Sequence, residues 1–80
     1  MNWFVYIVRC CDGSLYTGIS TDVEARITKH NNGTGAKYTE KRRPVKLVYK
    51  EEAENRSVAS KREYQIKQMS RKRKLNLIRS

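Results

Sequence analysis

The chain has 80 residues, and 18 lysines and arginines against 8 aspartates and glutamates give it a formal net charge of +10. That length predicts a single domain over residues 1–80, near the size at which one hydrophobic core barely suffices, and the charge predicts an anionic partner: nucleic acid first, an anionic membrane surface second, with a structural role on the ribosome as the plain alternative. No apolar run approaches the ~20 residues of a membrane span and the N-terminus has no signal-peptide core; nucleic acid is the expected partner, with no membrane insertion and no obligate protein partner evident.

The first two elements predict a β-hairpin. Phe4–Cys10 and Ser14–Ser20 are rich in Val, Ile, Leu and Tyr, and Cys11-Asp12-Gly13 between them carries an Asp-Gly turn signal. The turn length decides where the two tyrosines point. A loop of Asp12-Gly13 alone pairs Tyr16 with Arg9 and sends Tyr6 to the opposite face. A loop of Cys11-Asp12-Gly13, with Gly13 left-handed, pairs Tyr16 with Val8 and sets Tyr6 on the same face, opposite Gly18. We expect the second register. Cys10 and Cys11 are adjacent, poorly placed to bridge each other and without zinc-ligand spacing, so they read as reduced residues of a cytoplasmic protein.

Thr21-Asp22-Val23-Glu24 reads as a capping box in which Thr21 and Glu24 satisfy each other's amides. It should open a helix from about Asp22 to Asn31, with Val23 and Ile27 as its thin apolar side. At 100° per residue Arg26 and His30 fall beside that stripe, one turn apart. An isolated helix arginine is most often solvated, and a lone histidine is most often neither ligand nor base. Gly33–Thr39 reads as a flexible loop rather than a Walker phosphate cradle, because the motif and the strand-helix order are absent. Basic Lys41-Arg42-Arg43 follows and stops at Pro44.

Val45–Lys50 predicts a third strand. From about Ser57 to Arg71 the pattern is helical, with Val58, Ala59, Ile66 and Met69 on one stripe and Glu63 at its edge, where Lys67 is its ordinary i,i+4 partner. Residues 71–78 predict a last short helix with Leu75 and Ile78 buried. Its run Arg71-Lys72-Arg73-Lys74 is either a solvated face or a phosphate track. The expected fold is α+β: a three-stranded, mainly antiparallel sheet flanked by helices in the order ββαβαα.

Taken together, these positions resemble the GIY-YIG nuclease superfamily over essentially the whole chain. Val5-Tyr6-Ile7 is similar to the first half of the signature, and Tyr16-Thr17-Gly18 to the second. Arg26 stands ten residues after Tyr16, where the family carries its arginine, with His30 one turn beyond. Glu63 resembles the family's metal-binding glutamate. The His30–Thr39 stretch, Leu47-Val48-Tyr49 and Ile66-Lys67 are similar to the small stand-alone bacterial branch, the YhbQ-like proteins. The first triplet has Val5 in place of glycine, Ile19 stands where some relatives place a lysine, and Asn76 is near the spacing of a family asparagine.

The resemblance implies a divalent-metal-dependent nuclease, with DNA ahead of RNA and DNA repair as a setting. It implies Tyr6, Tyr16, Arg26, His30 and Glu63 as catalytic residues, with Glu63 holding one Mg²⁺ or Mn²⁺ ion, and leaves open which of Tyr6, Tyr16 or His30 is the general base. Lys37, Lys41, Arg42, Arg43, Arg71, Lys72, Arg73 and Lys74 are the expected nucleic-acid-binding residues. The competing reading is a nucleic-acid-binding module that keeps the scaffold without turnover.

Overall fold

In the computed structural model, which describes residues 2–79, the elements follow the expected order with one addition. Strand β1 (Trp3–Arg9) and strand β2 (Leu15–Ser20) lead into helix α1 (Val23–Asn31), a single turn α2 (Lys37–Glu40) and strand β3 (Lys46–Ala53). Helices α3 (Arg56–Lys67) and α4 (Arg71–Arg79) complete the chain. The added turn, α2, lies in the stretch expected to be a flexible loop. The three strands form one antiparallel sheet in the order β2-β1-β3, so the first strand of the sequence is the central one.

The hairpin closes as a three-residue loop. Cys10 N–H donates to Ser14 O and Gly13 N–H to Cys10 O, leaving Cys11-Asp12-Gly13 as the loop. Gly13 has φ +85°, the left-handed conformation that glycine adopts without a Cβ clash. The odd loop sets the register Val8↔Tyr16 and Tyr6↔Gly18, so both tyrosines project from one face. On the other edge of β1 a bulge between Ile7 and Val8 shifts the pairing from Tyr49 to Leu47.

Alternation along β1 divides the core into two layers. Tyr6, Val8 and Cys10 pack with Val23 and Val45, joined by Ile27 and Leu47, so α1 covers that face. Val5 and Ile7 pack with Ala53, Ala59 and Ile66 on the other face, with Met69, Leu77 and Ile78 extending the cluster, so α3 and α4 cover it. Asn31 clips the end of α1 to the start of β3, accepting from Val45 N–H at 2.7 Å and donating to its carbonyl at 3.3 Å.

Several local expectations are corrected. Asp22, not Thr21, caps α1: its carboxylate accepts from Ala25 N–H, because the helix begins one residue later than a Thr21 cap requires. Strand β3 runs on to Ala53, three residues past Lys50, and α3 ends at Lys67 rather than Arg71. Val58 and Leu75 are exposed, since Ala59 and Ile66 alone of the α3 stripe are fully buried and α4 turns Leu77 and Ile78 inward.

Candidate active site

The site lies on the α1 face of the hairpin, where β1 contributes a tyrosine to the middle of the sheet and β2 contributes one at its edge. Tyr6 is 1% exposed, and its ring lies across Gly18 of the neighbouring strand. A Cβ built on Gly18 would stand 2.5 Å from the Tyr6 hydroxyl, so the absence of a side chain at that position makes room for the ring. Above it, α1 presents Arg26 and His30 one turn apart. The Tyr6 hydroxyl and His30 Nε2 are 2.9 Å apart, and the two rings meet edge to face at 62°.

His30 is fully buried and enclosed on every side. Its Nδ1 lies 2.8 Å from the hydroxyl of Thr39 in α2, and Tyr16 approaches it edge-on with centroids 5.4 Å apart. Gly35 presses on it so closely that an added Cβ would meet Nδ1 at 2.5 Å. Burial first, and then the charge of Arg26, hold the His30 pKa below the usual histidine value, which keeps the ring neutral near pH 7. Burial pushes the Tyr6 pKa up, against the lowering pull of the Arg26 guanidinium.

Arg26 donates from one terminal nitrogen to Gly35 O at 3.0 Å. Its Nε is the one buried side-chain nitrogen or oxygen among the described residues left without a hydrogen-bond partner. The half-buried guanidinium acts on the Tyr6 hydroxyl through a side-chain hydrogen bond and through its charge, both of which favour the phenolate.

Glu63 approaches from α3, which packs on the opposite face but runs alongside edge strand β2. Its carboxylate is 3.4 Å from Lys67 Nζ, the ordinary i,i+4 pair, and Lys67 Nζ in turn lies 5.9 Å from the Tyr16 ring centroid. The Glu63 charge is near enough to raise the Tyr6 pKa. Among the described residues no group of three or more His, Cys, Asp or Glu side chains forms a metal cage. A single carboxylate with a partly exposed lysine partner nonetheless fits a hard ion such as Mg²⁺, which keeps most of its waters and binds through one or two carboxylates and substrate phosphates. Such an exposed pair contributes only about 0.3–0.5 kcal/mol, so it yields readily to an ion.

The candidate phosphate contacts divide into two groups. Arg42 is committed inside the molecule: it pairs with Asp12 at 3.1 Å, donates to Tyr38 O at 2.7 Å and lies 4.2 Å from the Tyr38 ring centroid. Arg43 donates to the carbonyls of Glu40 and Asn31, and Arg71 to Gly13 O. Among the described residues, Lys37, Lys41, Lys72, Arg73 and Lys74 have side chains with no such commitment, and all but the half-buried Lys74 are exposed.

Two neighbours of the site were not singled out in the sequence. Thr39 is fully buried against His30, and Tyr38, 39% exposed, stacks on Tyr16 with centroids 5.6 Å apart. Both belong to the glycine-bearing stretch that reads as a loop. The spacing of nine residues from His30 to Thr39 carries no helical or strand signal that would have paired them.

The structure thus gathers a hairpin-borne tyrosine pair, an arginine and a histidine on one helix, and a glutamate on another. The chain belongs to the GIY-YIG catalytic-domain family, whose family model matches residues 2–76. A UPF0213 protein of Staphylococcus saprophyticus is 63% identical over 94% of this chain and 92% of its own length. One from Staphylococcus aureus is 63% identical over 95% of this chain and 93% of its own. Two solution NMR structures share the fold at 47% identity. One is the UPF0213 protein of Bacillus halodurans, with TM-score 0.62 over 98% of this chain and 83% of that one. The other is a protein of E. faecalis, with TM-score 0.64 over 92% and 79%.

Proposed function

We propose that the chain hydrolyses phosphodiester bonds in nucleic acid, DNA ahead of RNA, with one divalent ion held by Glu63. The observation that carries this reading is the Tyr6–His30 contact at 2.9 Å beside the Arg26 guanidinium. A free phenolate at pH 7 would cost about 4 kcal/mol from a pKa near 10, and burial makes it dearer still. A relay avoids that cost. As water attacks phosphorus, Tyr6 takes its proton and passes its own to His30 Nε2.

In this scheme the new water oxygen–phosphorus bond forms while the ester P–O bond breaks, and the departing oxygen is protonated from solvent. Arg26 donates to a non-bridging oxygen from its half-buried guanidinium, held by its bond to Gly35 O. Tyr16, edge-on to His30, walls the site and offers a second hydroxyl for orienting the water. When bound, a divalent ion at Glu63 supplies charge neutralisation at the leaving oxygen.

The runner-up, a binding module without turnover, draws support from the Glu63–Lys67 pair, which neutralises the carboxylate without an ion. The discriminating experiment is a panel of labelled duplex, branched and single-stranded DNA and RNA with Mg²⁺, Mn²⁺ or chelator. We expect metal-dependent cleavage that is lost in Tyr6→Phe. Binding without cleavage under every ion would refute the enzyme and leave the module.

A further inference from the structure

The segment Gly33–Thr39 does more than connect α1 to β3. Gly35 O receives Arg26 and Gly35 itself abuts the His30 ring, while four residues on Thr39 meets Nδ1 of the same ring. One short stretch therefore holds both α1 side chains of the site. The Thr39 hydroxyl has two neighbours: His30 Nδ1 at 2.8 Å and the carbonyl of Ala36 at 3.1 Å.

A hydroxyl has one hydrogen, and a carbonyl oxygen can only accept. If Thr39 donates to Ala36 O, its contact with His30 requires Nδ1 to carry the proton. In a neutral ring Nε2 is then bare, and the 2.9 Å contact requires the Tyr6 hydroxyl to donate to it. All three contacts are filled in this arrangement. In the other tautomer Thr39 must donate to Nδ1, which leaves its oxygen facing Ala36 O with no hydrogen between them. That tautomer also puts a proton on Nε2, the nitrogen that should receive one from Tyr6.

We infer that Thr39 is a positioning residue: it fixes His30 in the Nδ1-protonated tautomer, so that Nε2 faces Tyr6 as a proton acceptor. The inference rests on the nuclease reading for its consequence in catalysis, but not for its test. Nothing in the strand or helix periods requires a threonine at this position. Its full burial and its two polar contacts are what the tautomer explains.

His30 is the only histidine of the chain, so its ring nitrogens give unambiguous signals in a long-range ¹H–¹⁵N NMR spectrum. We expect the wild type at pH 7.5 to show a protonated Nδ1 and a bare Nε2. Thr39→Val, close in shape but without the hydroxyl, should move the ring toward the Nε2-protonated form, and Thr39→Ser should restore it. On a substrate that the wild type cleaves, Thr39→Val should lose up to about 100-fold in rate, the lower end of what a positioned proton acceptor contributes, with Thr39→Ser recovering most of it.

A wild-type ring protonated at Nε2 overturns the inference, and so does a folded Thr39→Val that keeps Nδ1 protonated. Should Thr39→Val not fold, the wild-type spectrum and Thr39→Ser still decide. The spectrum needs no substrate. Absence of cleavage by the wild type would thus count against the nuclease reading, while the ring nitrogens decide the role of Thr39 separately.

Discussion

Replacing Gly18 with alanine tests the site without removing any of its polar groups. The new Cβ would meet Tyr6 at 2.5 Å from the hydroxyl oxygen, 2.7 Å from Cζ and 3.1 Å from Cε1. Carbon contacts settle at about 3.5–4.0 Å, so the ring must move by roughly an ångström. It has nowhere to go, since Val8, Cys10, Val23 and Val45 pack around it and His30 closes its hydroxyl end. Overpacking of this kind costs about 1–3 kcal/mol, and losing the Tyr6–His30 hydrogen bond adds about 1 kcal/mol. The expected loss is about 2–4 kcal/mol. For a domain of this size that lowers Tm by about 10–25 °C. Urea unfolding, read with the His30 NMR signal, measures both parts. Adding Tyr6→Phe should recover only part of the loss, because Cζ remains too close. An alanine variant with the wild-type midpoint and an unchanged His30 ring would refute the account of why glycine stands there.

Glu63→Ala should fold, bind nucleic acid as tightly as the wild type or more so, and lose metal-dependent cleavage; cleavage at the normal rate in a labelled-substrate assay would remove Glu63 from the ion-binding role. Salt titration of binding should give a log–log slope no steeper than about 5.4 on duplex, at about 0.9 per contact for Arg26 and the five uncommitted basic residues, or about 4.2 on single strands. Arg42→Ala should leave that slope nearly unchanged while lowering the unfolding midpoint, because its bonds are to Asp12 and Tyr38. Acid should destabilise the fold through His30. Its folded pKa lies below the unfolded value near 6.5, so the stability it contributes is present above about pH 6.5 and is lost as pH falls through the folded value, by at most about 1.4 kcal/mol per pH unit. Thermal melts between pH 7.5 and 5 should show this slope in the wild type and lose it in a folded His30→Gln.

The parts of the site that were legible in the sequence depend on short-range periods. The odd loop with Gly13 fixed the hairpin register, and register alone set Tyr6 and Tyr16 on one face. Helical spacing aligned Arg26 with His30, and the Ala59–Ile66 stripe brought Glu63 to the sheet edge. What the sequence hid depends on contacts between distant segments. Thr39 looks like any loop threonine until α2 folds it onto a histidine. Arg42, Arg43 and Arg71 look like phosphate contacts until the hairpin turn and loop carbonyls they bind are in place. Thr21 and Asp22 both suit an N-cap, and only the entry angle of the chain chose Asp22. On α3 and α4, stripes of similar hydropathy left Val58 and Leu75 outside, because a sheet this small can cover only part of each helix.

The central position of β1 has a consequence in time. The strand made first is the one that needs both neighbours. Its pairing with β2 closes within the first hairpin, as Phe4↔Ser20, but its other edge waits for β3, as Trp3↔Ala53. Val5 and Ile7 wait longer still, until Ala59 and Ile66 have been made. A two-stranded hairpin is marginal alone in water. A nascent chain that has reached only α2 therefore presents an open strand edge and a bare apolar face together, the combination from which strands pair with the wrong partner. Productive folding waits for the second half of the chain. Cutting the protein between α2 and β3 would yield not a smaller domain but two segments, each lacking the other's sheet.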